Sequence, residues 1–188
     1  MVEEVLAFLA PRPGHFFLDA TVGAGGHAAE LLSRALPGGR LAGLDRDRKM
    51  LDLAVRRLAS FPPETWSLVA GRFGSADDLN RAASEESVDG VIMDLGMNSE
   101  QLNDPGRGFS FLSDGPLDMR MTAGDRLTAS DIVNTWPERE IADLIFRLGE
   151  EPAARRIASA VVRARTRAKI RTTGELAALV ARVAGRHR

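Results

Sequence analysis

The run Asp19-Ala-Thr-Val-Gly23-Ala-Gly25-Gly26-His27 holds the residues best suited to gripping a small ligand. It follows apolar Phe16, Phe17 and Leu18 and precedes Ala28, Leu31, Leu32 and Ala35 at helical spacing. Apolar strand, glycine turn and helix form the layout of a nucleotide-cofactor loop. The glycines let backbone amides approach a ligand, and the helix N-terminus favours negative charge. Asp45 stands nineteen residues beyond Gly26, after a second apolar run over 40–44. Its carboxylate can accept from both hydroxyls of a ribose. Two cofactors suit this pattern. Gly23, Gly25 and Ala28 satisfy the dinucleotide form G-x-G-x-x-G/A. S-adenosylmethionine brings a sulfonium and an amino acid instead of a pyrophosphate, and so welcomes acids such as Asp19, whose carboxylate could meet the methionine ammonium through water. The plain alternative is a glycine turn that serves only tight strand–helix contact.

A second constellation begins at Asp94 and runs through Gly96, Asn98, Gln101, Arg107 and Phe109 to Phe111. It follows the fourth apolar run, and cofactor folds place substrate chemistry beyond the carboxyl ends of their strands. Asp94 and Asn98 could accept hydrogen bonds from an exocyclic amine and are the catalytic candidates. Phe109 and Phe111 could stack on a base. The plain alternatives are a turn cap for Asp94 and core positions for the phenylalanines. Farther on, residues 152–188 carry ten Lys/Arg against one acid, Glu175: +9 within a chain whose total is −1. Such a lobe suits a polyanion. Arg107, Phe109, Arg163, Arg165, Arg167, Lys169 and Arg171 are the candidate nucleic-acid contacts. The alternative is a solvated face whose arginines pair with the acidic remainder.

The elements that must position these residues alternate over the first 95 positions. An amphipathic helix over 2–9 leads to strands near 16–20, 40–44, 66–70 and 88–93. Helices intervene near 27–36, 47–59 and 75–83. Strands separated by helices imply a parallel sheet. Four such strands put the first and fourth side by side at the switch point. Residues 96–127 hold seven glycines and prolines and no clear period. Helical patterns resume near 128–135, 137–148, 150–166 and 172–185, with Thr172 and Glu175 set for a capping box. The fold class is therefore α/β: a Rossmann-like parallel sheet, incomplete, with a helical lobe. The expected domains are 1–96 for the cofactor, 97–127 for an active-site loop and linker, and 128–188 for substrate recognition. The strand over 88–93 would be an apolar edge, so the chain is expected to be part of a longer protein or to pair there, as a homodimer would.

Composition narrows the class further. At 188 residues, 44% hydrophobic and 27% charged, the chain is ordinary for a globular protein. It has no cysteine, which removes disulfides and thiolate metal sites. The three scattered histidines, His15, His27 and His187, give no expectation of a metal. No apolar run approaches the ~18 residues of a membrane helix and no signal peptide is visible, so a cytoplasmic location is expected.

Longer strings carry a resemblance. These are Asp19–His27, Gly43-Leu-Asp-Arg-Asp47, Asp89-Gly-Val-Ile-Met-Asp-Leu-Gly96, Arg107-Gly-Phe-Ser-Phe111, Gly115-Pro-Leu-Asp-Met-Arg-Met121, Gly149-Glu-Glu151 and Arg155-Arg-Ile-Ala158. From Phe17 to about Val183 the chain resembles the RsmH/MraW family of S-adenosylmethionine-dependent methyltransferases, which act on a cytidine N4 of 16S rRNA in the small ribosomal subunit. The resemblance implies a class I methyltransferase sheet and cofactor contacts at Gly25, Gly26, His27, Asp45, Phe73, Asp94 and Gln101. It implies Phe73 against adenine and Asp94 near the ammonium or the transferred methyl. Three departures stand out. Asn98-Ser-Glu-Gln-Leu-Asn103 replaces the family's Ser-Ser-Pro-Gln-Leu-Asp. Met1-Val-Glu-Glu-Val stands where the family has His-x-Pro-Val, and the family continues with further strands.

Overall fold

The computed structural model describes residues 2–84, 86–110 and 112–185. Phe111 and the basic residues Arg186 and Arg188 lie outside them. The chain divides into two compact units, Met1–Gly96 and Met97–Arg188.

In the first unit, β1 (Phe16–Asp19), β2 (Arg40–Asp45), β3 (Trp66–Ala70) and β4 (Gly90–Ile92) form one parallel sheet in the order β3-β2-β1-β4. The first and fourth strands are neighbours, as the βα alternation predicts. Alternation along β1 splits its side chains between two cores. Phe17 meets Leu6 of α1 (Val2–Leu9), Leu31 and Leu32 of α2 (Gly26–Ala35) and Leu58 of α3 (Arg48–Leu58). Phe16 and Leu18 face the other way, toward Ala82 and Leu79 of α4 (Ala76–Ala82). Burial on both faces explains why β1 reads as an unbroken apolar run. Asp47 caps α3 by accepting the Lys49 amide, and Ser75 caps α4 by accepting the Asp78 amide.

The last strand is shorter than its apolar run predicts. It spans three residues rather than 88–93, and it pairs with β1 alone. Val91, Met93 and Leu95 are 44%, 47% and 63% exposed, so the coverage expected of a two-faced strand does not extend to this edge among the described residues. Asp89 fixes its start: its amide donates to the Phe16 carbonyl at 2.8 Å and its carboxylate accepts the Phe16 amide at 2.7 Å.

The second unit is helical: α5 (Ser99–Asn103), α6 (Ala129–Thr135), α7 (Glu138–Gly149), α8 (Ala154–Arg165) and α9 (Thr173–Ala184). Its core joins Leu117, Val133, Ile141, Ile157, Val161 and Ile170. The helix expected from 150 starts at Ala154 instead. Glu150 turns left-handed (φ 51°) and ends α7, and the Glu151 carboxylate accepts the Ala153 amide ahead of α8. Thr172 caps α9 by accepting the Glu175 amide, but the expected box closes one residue early: the Glu175 carboxylate takes the amide of Arg171, not that of Thr172. Segment 97–127 is stitched to this helical unit by a Pro116–Thr172 bridge and by Asp114, whose Oδ1 accepts the Gly174 amide at 2.7 Å.

Candidate functional site

The carboxyl ends of β1, β2 and β4 and the turns that leave them are tied together by hydrogen bonds. Beyond β1, Val22 donates its amide to the Leu44 carbonyl at 2.9 Å, drawing the glycine turn over β2. Gly23 donates to Asp45 Oδ2 at 2.9 Å, and Asp47 donates to Asp45 Oδ1 at 2.8 Å. The Asp45 carboxylate thus braces two turns and keeps further lone pairs on both oxygens. Beyond β4, the Asp94 amide donates to Thr21 Oγ1 at 2.7 Å. Sequence reasoning does not reach Thr21, although a hydroxyl two residues past a strand-end acid is a readable signal. Beyond β3, Gly71 donates to the Asp45 carbonyl at 3.0 Å, and Phe73 follows two residues on, 45% exposed.

The glycines have separable reasons. Gly25 caps α2 in the left-handed region (φ 79°), and a Cβ there would stand 3.2 Å from Ala54 Cα of α3. Close helix contact therefore accounts for Gly25, as the plain alternative anticipates. Gly23, also left-handed (φ 51°), presents its amide to Asp45. His27, in the first turn of α2, has Nδ1 3.9 Å from Asp94 Oδ2, while its Nε2 is buried without a partner.

Charge is the site's second property. Asp19 is buried, with Oδ1 accepting the Thr21 amide at 3.1 Å. Burial pushes its carboxyl up to about 7, the Thr21 amide opposes this, and the charges of Asp45 and Asp94 add to it. Among the described residues no lysine or arginine forms an ion pair with Asp19, Asp45 or Asp94. Three acids with no Lys or Arg ion-paired to them among the described residues suit a cationic ligand, although the Arg57 guanidinium of α3 stands against Gly26, where a Cβ would meet its Nη1 at 3.2 Å. No three of His, Cys, Asp and Glu are grouped to hold a metal ion among the described residues.

The remaining candidates belong to the second unit, and several are already engaged. Asn98 caps α5: its Oδ1 accepts the Gln101 amide at 2.9 Å, and its own amide donates to Gln101 Oε1 at 3.2 Å. Gln101 is buried. Arg107 donates to the carbonyls of Arg120 and Met121 and lies over the Phe109 ring at 5.7 Å. Phe109 is 7% exposed, a core side chain rather than an open stacking platform. Arg165 turns inward, its Nη1 donating to the Val133 carbonyl at 2.9 Å. Arg163, Arg167, Lys169 and Arg171 are exposed. None of them forms an ion pair among the described residues, so the solvated face paired with acids is not what is found. No described helix is long and apolar enough to cross a membrane.

Comparison with known proteins agrees with this layout. A family model described as the MraW methylase family matches residues 1–188. Proteins named "Ribosomal RNA small subunit methyltransferase H" are similar throughout. That of Koribacter versatilis is 45% identical over 181 residues, covering 95% of this chain and 57% of that protein. Those of Symbiobacterium thermophilum and Syntrophotalea carbinolica are 46% and 47% identical over 180 residues, each covering 96% of this chain and 56% and 57% of theirs. The chain spans somewhat more than half the length of these relatives. It belongs to the MraW methylase family.

Proposed function

We propose, from that membership, that this chain binds S-adenosylmethionine at the strand ends of its first unit and takes part in methylating N4 of a cytidine in 16S rRNA. The observation that carries the reading is the set of three carboxylates, Asp19, Asp45 and Asp94, gathered around a glycine turn with no Lys or Arg partner among the described residues. A ligand with an ammonium, a sulfonium and a ribose diol supplies the missing positive charge and two donors. A dinucleotide pyrophosphate would add negative charge to the same place.

The donor supplies an electrophilic methyl on sulfur. The chain's own residues have three tasks. Asp45 holds the ribose hydroxyls through the lone pairs that Gly23 and Asp47 leave free. Gly25, Gly26 and His27 offer backbone at the start of α2 to the methionine part, with Asp19 behind them, and Phe73 lies against the adenine. Asp94 accepts a hydrogen bond from the cytosine amine, orients it for in-line attack and receives the proton it loses. Its side chain is half exposed and near His27, so a proton passed to it can leave to water. Gln101 braces the loop through its box with Asn98, which leaves Asn98 a positioning role. Arg163, Arg167, Lys169 and Arg171 meet RNA phosphates, with Arg107 stiffening the loop beneath them in sequence.

Two measurements test this. In calorimetry the chain is expected to bind S-adenosylhomocysteine and not NADH; the reverse preference would remove the cofactor assignment. Small subunits lacking the modification, incubated with the protein and labelled S-adenosylmethionine, are then digested to nucleosides. Label in N4-methylcytidine is expected, and label in another nucleoside would displace the substrate assignment.

A further inference from the structure

Phosphate contacts at Arg163, Arg167, Lys169 and Arg171 leave open the path of a strand along the helical unit. The side chains of the second unit narrow this. Arg155, Arg156 and Arg163 of α8 and Arg182 of α9 line one open groove of about 540 Å³. Residues 155, 159 and 163 recur every four positions and so form one stripe along α8. At 1.5 Å rise per residue that stripe is about 12 Å long. Two of the cations are held in place. Arg156 Nη2 donates to the Val183 carbonyl at 2.6 Å, at the last turn of α9, where helix carbonyls lack partners. Arg163 Nη1 donates to Ser159 Oγ at 2.8 Å. The one acid in the groove, Glu138, forms no ion pair with any of them among the described residues.

We infer that this groove is a docking site for the RNA sugar–phosphate backbone. A stripe of about 12 Å outreaches a single phosphate and spans the axial rise of three or four nucleotides at about 3.4 Å each. That length favours a polyanion over a small anion. Among the described residues that line the groove Val183 is the one apolar side chain, which is too little to insert into a lipid surface. Held guanidiniums suit phosphates because less side-chain freedom is lost on binding. The groove reads no base, so it adds affinity and register while sequence choice is left elsewhere. Arg165 is excluded from it, although it shares the same basic run, because it serves the Val133 carbonyl.

The inference rests on the RNA reading, and the experiment separates the two. Fluorescence anisotropy would follow the full chain binding deproteinised 16S rRNA and a polyuridylate oligomer across a potassium chloride series. The parent is compared with R155Q/R163Q/R182Q and with R167Q/K169Q/R171Q, each of which removes three exposed cations. Circular dichroism checks that all three fold alike, and a refold-incompetent triple is replaced by the single substitution R155Q. The groove triple is expected to bind at least about tenfold more weakly, with the slope of log K against log salt reduced by about two. The second triple is expected to lose clearly less. If both triples lose equally, or the groove triple keeps the parent's slope, the groove is not the docking site while the RNA reading stands. If the parent binds neither RNA, the RNA reading itself has failed. Parent binding to phosphatidylserine vesicles in place of RNA would turn the groove into a membrane contact and overturn the inference.

Discussion

Acids at the strand ends of the first unit and acids of the second unit live under opposite conditions. Asp19 is buried beside two other carboxylates and is pushed up to about 7. Asp118 is gripped by Arg120 through Nε and Nη2, at 2.9 and 2.7 Å, and that guanidinium holds it below the usual carboxylate range. Asp114 is lowered by the Gly174 amide at the start of α9, and Asp131 by Thr128 at the start of α6. The second group has its partners within the fold. The first is held by amides and a hydroxyl, and no Lys or Arg is ion-paired with it among the described residues. Partners inside the fold lower a carboxyl, and burial beside like charges raises it.

The comparison is broken most severely at Asp94. Asp94→Ala is expected to lower methyl transfer by about 100-fold or more, with S-adenosylhomocysteine affinity much less affected, in single-turnover assays beside calorimetry. An equal loss in both would make Asp94 a binding group only.

Asp19 comes next. Its folded carboxyl titrates near 7 against 3.8 when unfolded, so between about pH 4 and 7 the folded state keeps a proton that the unfolded state has released. Stability contributed by the protonated form is complete at the low end and lost as pH rises through 7. Asp19→Asn removes this dependence. The variant is expected to gain over the parent between pH 5 and 8, by on the order of 3 kcal/mol at the alkaline end, in urea titrations. A constant difference across that range would show that burial does not govern Asp19.

Asp45→Ala is expected to weaken S-adenosylhomocysteine by roughly 1.5–3 kcal/mol, since hydrogen bonds to a charged group are lost along with the brace on Gly23. Unchanged affinity would leave Asp45 a purely structural brace. The smallest effect is expected in the matched group. Asp118→Ala should lower Tm by a few degrees and leave S-adenosylhomocysteine affinity within about twofold. A cofactor defect as large as that of Asp45→Ala would end the distinction between the two sets of acids.

The elements themselves were largely legible. Hydrophobic periodicity located the four strands and four α-helices described in the first unit within a few residues, and the adjacency of β1 and β4 follows from the βα alternation. What the sequence does not reveal is the direction of individual side chains. Arg163 and Arg165 look equivalent in a basic run, yet two positions along a helix rotate one outward and the other onto Val133. Phe109 sits among polar loop residues and is nonetheless buried. Pro116-Leu-Asp-Met-Arg-Met is conspicuous as a string, but its residues serve shape: Leu117 enters the core and Asp118 grips Arg120. Asp45 was readable as a strand-end acid after β2, whereas its bond to Gly23 depends on a turn that only the fold brings to β2.

The contact between Gly25 and Ala54 carries a consequence for motion. Because the backbone at Gly25 packs too closely on α3 to admit a Cβ, movement at that end of the turn is tied to the α2–α3 contact. Opening the turn means parting two helices whose leucines, Leu31, Leu32 and Leu58, share the sheet's main core. Such an event belongs to rare, sub-global opening rather than to nanosecond loop flicker. The close packing of Gly25 on α3 thus makes the head of α2 a stiff part of the first unit.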